Sequence, residues 1–279
     1  MAAQHPTDKE REEARRQLKV KEGIQDPATI SILHRIGVRA GWSCLEVAAG
    51  GGSIAAWLCG AVGPAGQVVA TDIDTSFLRD LALPNLVVLH HDVVTDDLPT
   101  AAFDLVHARD VLVHIPEREV VLEKMAGAVR PGGWILLEEP DASGVRADPT
   151  APETSRQLYA KVMAAIYSHL RERGLDPTCG SRLLASLQSL GFDSLDCEAR
   201  SRSYRGGAAA STSPHVMAFP KVMGAVVSAG AVSEKDSREF LALFDDPGFS
   251  WREDLTVSTW GRRQKLSSAD RSCSARGVH

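Results

Sequence analysis

The stretch that decides the fold is Ser-Cys-Leu-Glu-Val-Ala-Ala-Gly-Gly-Gly-Ser, which occupies residues 43–53. Its first half is apolar enough for a buried strand, and the Ile-Ala-Ala-Trp-Leu that follows favours a helix. Between the two, Gly50, Gly51 and Gly52 carry no side chains, so a ligand can lie against the backbone amides and the positive end of the helix. The stretch therefore predicts a nucleotide-type binding turn.

Two cofactors fit this turn. Counted from Gly50, residues 50–55 match the Gly-x-Gly-x-x-Ala form of the dinucleotide fingerprint, with Asp72 placed as its ribose acceptor. Counted from Glu46, the turn has an acidic residue ahead of its glycines. A carboxylate there would repel a pyrophosphate but could hold an ammonium group, which favours the second interpretation. An NAD(P)-dependent oxidoreductase stays as an alternative.

Further predicted strands and turns follow the glycine turn along the chain. Apolar strands are predicted at 67–71, just before Asp72, and at 86–90, just before Asp92. Another is predicted at 103–107, and Arg-Pro-Gly-Gly at 130–133 leads into a strand at 134–139. Together with residues 46–52, these segments resemble the class I S-adenosylmethionine-dependent methyltransferases, in particular the bacterial small-molecule methyltransferases of the type 11 and 12 group.

The alternation of strands with helices predicts an α/β protein with a parallel sheet covered on both faces. The resemblance implies a Rossmann-like, doubly wound, mostly parallel seven-stranded sheet with a helical lid. We expect a lid segment at 1–42, a cofactor-binding core at 43–139, substrate-covering helices with the last strands at 140–263, and a disordered tail at 264–279. Core helices are predicted at 53–62, 75–82, 109–113 and 117–129; an outer helix is predicted to begin at Pro27 and run to Ile36, and another, at 216–229, to break at Pro220.

The resemblance also implies S-adenosylmethionine as the cofactor. In the family's pattern, Asp72 would accept both ribose hydroxyls and Asp92 would meet the adenine amino group. The expected cofactor-binding residues are Glu46, Ala48, Gly50, Gly52, Asp72, Ile73, Asp92, Val93 and His107. Ala48 departs from the family, which usually has glycine there; a positive φ at this position would cost roughly 1 kcal/mol or more, whereas a shortage of space would crowd the methionine part of the cofactor.

Methyl transfer from a sulfonium is an in-line displacement in which positioning supplies much of the acceleration, and a base is needed only for a protonated acceptor. His107 and His114 are the candidate catalytic residues. His107 follows a strand and is placed to contact the methionine part of the cofactor, while His114 lies one helical turn from Asp110, which could orient it. We predict that neither is indispensable as a base.

Other charged residues near the predicted strand ends are candidates for salt bridges or ligand contacts. Arg109 is expected in a surface salt bridge or facing ligand, and one of Glu138, Glu139 and Asp141 could face the acceptor while the others are solvated. His215 has no partner that the sequence identifies.

The composition of the chain disfavours several classes of protein. The chain has 279 residues and a net charge of −5, and no long basic run is interleaved with aromatic residues, so a nucleic acid target is not expected. No apolar stretch approaches the ~20 residues of a membrane helix, and the first residues lack a secretory signal, which predicts a cytoplasmic protein. The five cysteines are scattered, which predicts neither disulfides nor a metal site.

The sequence thus predicts methyl transfer from S-adenosylmethionine to an oxygen, nitrogen or carbon of a small organic molecule, such as a specialised metabolite, by a monomer or homodimer. A second alternative, besides the oxidoreductase, is a protein that binds S-adenosylmethionine but rearranges its ligand or only binds it.

Overall fold

The structure is a computed structural model that describes residues 8–265. Within this range the helices are α1 (Asp8–Ile36), α2 (Ser53–Val62), α3 (Arg118–Ala128), α4 (Glu153–Arg171), α5 (Cys179–Ser189), α6 (Pro214–Ser228) and α7 (Glu234–Leu243). The strands are β1 (Ser43–Val47), β2 (Gln67–Asp72), β3 (Leu86–His90), β4 (Phe103–Arg109), β5 (Val129–Asp141), β6 (Arg146–Ala147), β7 (Phe192–Arg200), β8 (Ser203–Arg205), β9 (Ser250–Arg252) and β10 (Leu255–Arg263).

The central sheet has seven strands in the order β3-β2-β1-β4-β5-β10-β7. Strands β1 to β5 are parallel, and β10 runs antiparallel to both β5 and β7. The predicted doubly wound fold is confirmed. Its strand order reverses between β1 and β4, and ligands of such sheets bind in the crevice beyond the carboxyl ends of the strands at this point.

Apolar layers cover both faces of the sheet, as strands that are buried on both sides require. On one face, α2 and the end of α1 pack Leu58 and Leu33 against β1 and β2. On the other, α3 and α5 pack Met125 and Leu187 against β4 and β5. The glycine turn between β1 and α2 is thereby fixed in place at the switch of strand order.

A separate aromatic core holds the outer helices together. Helices α4, α6 and α7 enclose Tyr159, Phe219 and Phe240 together with the small sheet β6-β9-β8. Trp251 on β9 stacks with Tyr204 on β8, with ring centroids 5.7 Å apart. This second core sits beside the sheet edge where the cofactor residues are expected.

Local features differ from the sequence prediction where tertiary contacts override helix breakers. Pro27 and Pro220 lie inside the continuous helices α1 and α6, although proline lacks a backbone N–H; Leu33 after Pro27 and Phe219 before Pro220 are buried in the two cores. Of the helix predicted at 75–82, only a short 3-10 turn forms, Thr75–Phe77. The prediction of a helix at 109–113 is wrong, because β4 continues to Arg109 and Asp110 has a φ of 57°, outside the helical range.

Among residues 8–265, no helix combines the length and the apolar character that crossing a membrane would require. The predicted disordered tail lies almost wholly outside the described residues.

Candidate active site

The glycine turn and Asp72 hold each other at the carboxyl end of β1 and β2. The N–H of Gly50, which has a φ of 55°, donates to Asp72 Oδ2 at 2.8 Å, and the N–H of Asp74 donates to Oδ1 at 2.9 Å. Each oxygen of an ionised carboxylate accepts more than one hydrogen bond. The half-buried Asp72 carboxylate is therefore fixed in direction while it keeps capacity for a ligand's hydroxyls.

The turn itself leaves no room for side chains. A Cβ on Gly51 would overlap the Glu22 carboxylate of α1, and one on Gly52 would overlap Leu78 and Leu81. Gly52 also has a φ of 81°, a left-handed value that favours glycine. Backbone amides therefore form the floor of this crevice.

Helix α1 covers the crevice through polar contacts with the end of β4. Lys21 and Gln25 donate to Asp110 Oδ2 at 3.2 and 3.1 Å, and Arg109 donates to Asp26 Oδ1 at 2.8 Å. Arg109 thus forms a partly buried salt bridge with Asp26 on α1, in place of the expected surface salt bridge. These contacts place α1 where the predicted lid segment would have to lie.

A buried charge network, formed by Glu46, His107 and Glu138, crosses the middle of the sheet. His107 lies beside Glu46 in the β1–β4 register, and its Nδ1 is 2.7 Å from Glu46 Oε2. Its Nε2 is 3.2 Å from Glu138 Oε2 on β5. Glu138 also accepts the hydroxyls of Thr29 on α1 and Ser258 on β10. The network ties the start of the glycine turn to α1.

The charge state of this network follows from its pairing. Burial lowers the pKa of His107, but the carboxylates of Glu46 and Glu138 outweigh it and raise that pKa to about 9. Burial raises the pKa of Glu138, while hydrogen bonds from His107 and the two hydroxyls lower it to a greater extent. At neutral pH an imidazolium therefore stands between carboxylates, fully enclosed in the protein.

A cavity of about 660 Å³ lies next to this network, between α1, the sheet edge and the outer helices. We call it the acceptor cavity. Asp110, His114 and Glu138 line its sheet side, and its walls are mostly apolar, with Ile24, Met163, Ile166, Leu170, Phe219 and Val222. Its volume is typical of pockets for small organic ligands.

The wall formed by the outer helices carries a polar cluster that sequence reasoning missed. His215 Nε2 is 2.8 Å from Asp254 Oδ2, and the Tyr167 hydroxyl donates to Asp254 Oδ1 at 2.5 Å. All three residues line the acceptor cavity. No local motif marks this cluster, because its members come from α4, α6 and the segment between β9 and β10.

Comparison with known proteins finds a methyltransferase domain in part of the chain. A model of the methyltransferase domain matches residues 45–135, which run from β1 into β5 and include the glycine turn. This match, together with the doubly wound sheet, supports a class I S-adenosylmethionine-dependent methyltransferase.

Relatives and solved structures agree with this family. A demethylmenaquinone methyltransferase of Oceanobacillus iheyensis is 28% identical over 199 residues, covering 64% of this chain and 79% of that protein. The chain spans about half the length of other curated relatives that it matches. A proposed methyltransferase of Bacillus halodurans superposes with a TM-score of 0.55 at 15% identity, covering 85% of this chain and 98% of that one. Phosphoethanolamine N-methyltransferase 2 of Haemonchus contortus, solved with S-adenosylhomocysteine, gives 0.52 at 14% identity, covering 86% and 53%. At these identities the structural likeness shows the fold.

The residues of this methyltransferase fit S-adenosylmethionine, the cofactor of its family. The three glycines of the turn carry no side chains of their own, the Glu22 carboxylate of α1 lies against Gly51, and Asp72 has acceptor capacity for ribose hydroxyls. Ile73 exposes 67% of its surface beside it, which suits the face of an adenine ring. Asp92 is half-buried, and its Oδ1 accepts the N–H of Val94 at 2.9 Å, while Val93 is buried beneath it. The individual roles of these residues stay predictions.

Ala48 adopts a left-handed backbone conformation, with φ at 53°. This conformation costs a residue with a Cβ roughly 1–2 kcal/mol, more than the ~0.4–1 kcal/mol of backbone freedom that glycine adds to the unfolded chain. Ala48→Gly should therefore raise the free energy of unfolding by up to about 1 kcal/mol in urea denaturation. The neighbouring Ala49, outside the left-handed region, is the matched control: Ala49→Gly should instead lower it. Equal losses in both variants would contradict strain at Ala48.

The acidic residues that end β5 are not solvated, in contrast to the expectation from sequence. Glu138, Glu139 and Asp141 are all at most 1% exposed. Glu139 accepts the backbone N–H groups of residues 111–113, and Asp141 accepts those of Ser143 and Ser181. Two of the three therefore hold loops of the methyltransferase in place, and only Glu138 lines the cavity.

The two candidate catalytic histidines lie in different surroundings. His107 is completely buried, so its side chain acts on a ligand only through Glu46 and Glu138. His114 lines the acceptor cavity, and burial, with help from Lys21, lowers its pKa. Asp110 accepts from Lys21 and Gln25 and is not hydrogen-bonded to His114 in the described part of the chain. The expected orienting role of Asp110 is therefore not what the geometry shows.

Proposed function

We propose that this protein transfers the methyl group of S-adenosylmethionine to a small, mainly apolar organic molecule in the acceptor cavity. The observation that carries the proposal is the position of this cavity: its sheet side is formed by Asp110 and Glu138, at the ends of β4 and β5. The glycine turn and Asp72 lie at the same edge, at the ends of β1 and β2. A cofactor held there and a molecule in the cavity would meet at the switch of strand order.

When bound, S-adenosylmethionine supplies an electrophilic methyl group on a sulfonium. The chain's own residues bind and orient: Asp72 would hold the ribose, Asp92 and Ile73 the adenine, and the amides of residues 50–52 the remainder. Glu46, fixed by His107, would face the ammonium group. Helix α1, held by Asp110 and Arg109, lies over the crevice and would limit the access of water. Such alignment of nucleophile and methyl group supplies much of the acceleration.

The acceptor is expected to be uncharged. Each carboxylate that lines the cavity already has a partner: Asp110 has Lys21, Asp254 has His215, Glu138 has His107, and Glu253 has the Ser213 hydroxyl. The mostly apolar walls, rather than these hydrogen bonds, disfavour a cationic acceptor. The names of the relatives, a demethylmenaquinone and a phosphoethanolamine methyltransferase, support small-molecule acceptors without selecting one for this chain.

The experiment combines binding with transfer. Calorimetry of the full chain should show heat with S-adenosylmethionine and none with NAD. Incubation with the methyl-labelled cofactor and a panel of apolar alcohols, phenols and amines should place label in an organic product. Tight NAD binding without heat from S-adenosylmethionine would overturn the proposal. Cofactor binding with an altered but unlabelled acceptor would favour the alternative of a non-methylating rearrangement.

A further inference from the structure

The Glu22 carboxylate occupies part of the surface on which the cofactor is expected to lie. Its Oε1 takes the place that a Cβ on Gly51 would fill, so it rests directly against the backbone of the glycine turn. The approach is open to Glu22 because glycine has no side chain. Leu18, one turn earlier on α1, lies 3.5 Å from the corresponding Cβ position at Gly50. Two side chains of α1 thus cover the backbone of Gly50 and Gly51.

The position of this carboxylate has an electrostatic reason. Gly52 is the N-cap of α2 and has no side chain to cap the helix, and the first turn of α2 holds no acidic residue. The positive end of α2 therefore favours an anion supplied from elsewhere. Ser53, the first residue of α2, stabilises the ionised Glu22 through its backbone and its hydroxyl group. Glu22 thus supplies from α1 the carboxylate that α2 lacks.

Other neighbours make this contact easy to displace. Burial raises the pKa of the half-buried Glu22, and the nearby Asp26 carboxylate raises it further. Ser53 and the charge of Arg109 lower the pKa to a smaller extent, so the net pKa lies above the ordinary value. The ionised carboxylate is therefore held in the crevice less favourably than in water, and its release costs little.

Helix α1 has a weak point directly after Glu22. Leu33, near the end of the helix, is fully buried against the sheet, whereas Arg15, near its start, makes an exposed salt bridge with Asp80. Between them, Pro27 has no N–H to donate to the carbonyl of Gly23. Glycine and proline are the least favourable residues inside a helix. The part of α1 that carries Glu22 can therefore move while the end of the helix stays packed.

We propose that Glu22 is an internal competitor of the cofactor. In the free protein its carboxylate holds α1 against the positive end of α2, and the methionine part of S-adenosylmethionine, which has a carboxylate of its own, displaces it on binding. The inference rests on the proposed function, in which Asp72 holds the ribose and the amides of residues 50–52 hold the rest of the cofactor. Glu22 and the methionine part cannot occupy that surface together.

The test compares two nucleosides that differ only in the amino acid part. S-adenosylhomocysteine carries it, and 5′-methylthioadenosine lacks it. Calorimetry of the full chain should show that Glu22→Ala tightens binding of S-adenosylhomocysteine about three- to tenfold, the effect of a carboxylate at a helix N-terminus. The affinity for 5′-methylthioadenosine should stay at the wild-type value, because this ligand does not reach the surface that Glu22 covers.

The matched control is Glu12→Ala. Glu12 lies about three turns earlier on the same helix and is exposed, so the variant has the same change of charge and of helix propensity away from the turn. It should bind both nucleosides as the wild type does. A second readout needs no ligand: the amides of residues 15–21 should exchange hydrogen faster in Glu22→Ala than in Glu12→Ala, because the contact that holds this part of α1 is lost.

The outcomes separate the inference from the proposed function. Weaker binding of S-adenosylhomocysteine by Glu22→Ala would show that Glu22 holds the ammonium group of the ligand and would overturn the inference. An equal change for both nucleosides, or no change for either, would overturn it as well and leave methyl transfer intact. Selective tightening in a protein that transfers no methyl label would support the internal competitor and count against the proposed function. If Glu22→Ala fails to fold, Glu22→Gln, which keeps the shape and removes the charge, is held to the same expectations.

Discussion

Glu138→Ala should lower the free energy of unfolding by about 3–5 kcal/mol, the usual loss when one partner of a buried ion pair is removed. The substitution leaves the His107 imidazolium with one carboxylate instead of two, inside a site from which water is excluded. It also removes the acceptor of the Thr29 and Ser258 hydroxyls. Because Thr29 lies on α1, the attachment of α1 to the sheet should weaken with the core. Urea denaturation measures the change.

The matched control is Glu234→Ala. Glu234 has an 80% exposed side chain, and within residues 8–265 its ion-pair partner is Arg238, one turn along α7, so its loss should change stability by less than about 0.5 kcal/mol. A second readout is the pH dependence. The folded pKa of His107, about 9, exceeds the ordinary value of 6.5, so its contribution is fully present below 6.5 and is lost as pH rises through 9. In Glu138→Ala, the free energy of unfolding should fall less steeply as pH rises toward 9. A variant with the stability of the wild type and the same dependence of stability on pH would refute the charged network.

Asp72→Ala should weaken S-adenosylmethionine binding by roughly 3–6 kcal/mol, a loss of at least about a hundredfold in affinity. The estimate follows from two charge-assisted hydrogen bonds to the ribose, at roughly 1.5–3 kcal/mol for each. The same carboxylate accepts the N–H groups of Gly50 and Asp74, so its removal also loosens the turn. Calorimetry with the cofactor measures the loss directly.

Asp74→Ala serves as the control for this loop. Asp74 is exposed and only caps the short turn at Thr75–Phe77 through the N–H of Ser76. Its replacement should leave cofactor affinity within a few-fold of wild type. An Asp72→Ala variant that binds the cofactor as well as the Asp74→Ala variant does would show that the ribose is held elsewhere.

Much of the fold was readable from sequence because its determinants are local. Each determinant spans only a few residues of the sequence. They are the apolar runs before Asp72 and Asp92, the glycine turn after Glu46 and the Arg-Pro-Gly-Gly turn that leads into β5. Their alternation with helices is enough to predict a doubly wound sheet, and the structure confirms it. Helix ends were less predictable, because packing of α1 and α6 overrode Pro27 and Pro220.

The sequence by itself thus determined the α/β class, the strand order along the chain and the binding turn. Only the tertiary structure decided which polar side chains meet. His107 stands 61 residues from Glu46 and 31 from Glu138, and they meet because β1, β4 and β5 are neighbours in the sheet. His215 reaches Asp254, 39 residues away, across the wall of a cavity that no segment forms alone. Periodicity encodes local conformation, whereas these pairings depend on strand register and helix packing between distant segments, which no short pattern contains.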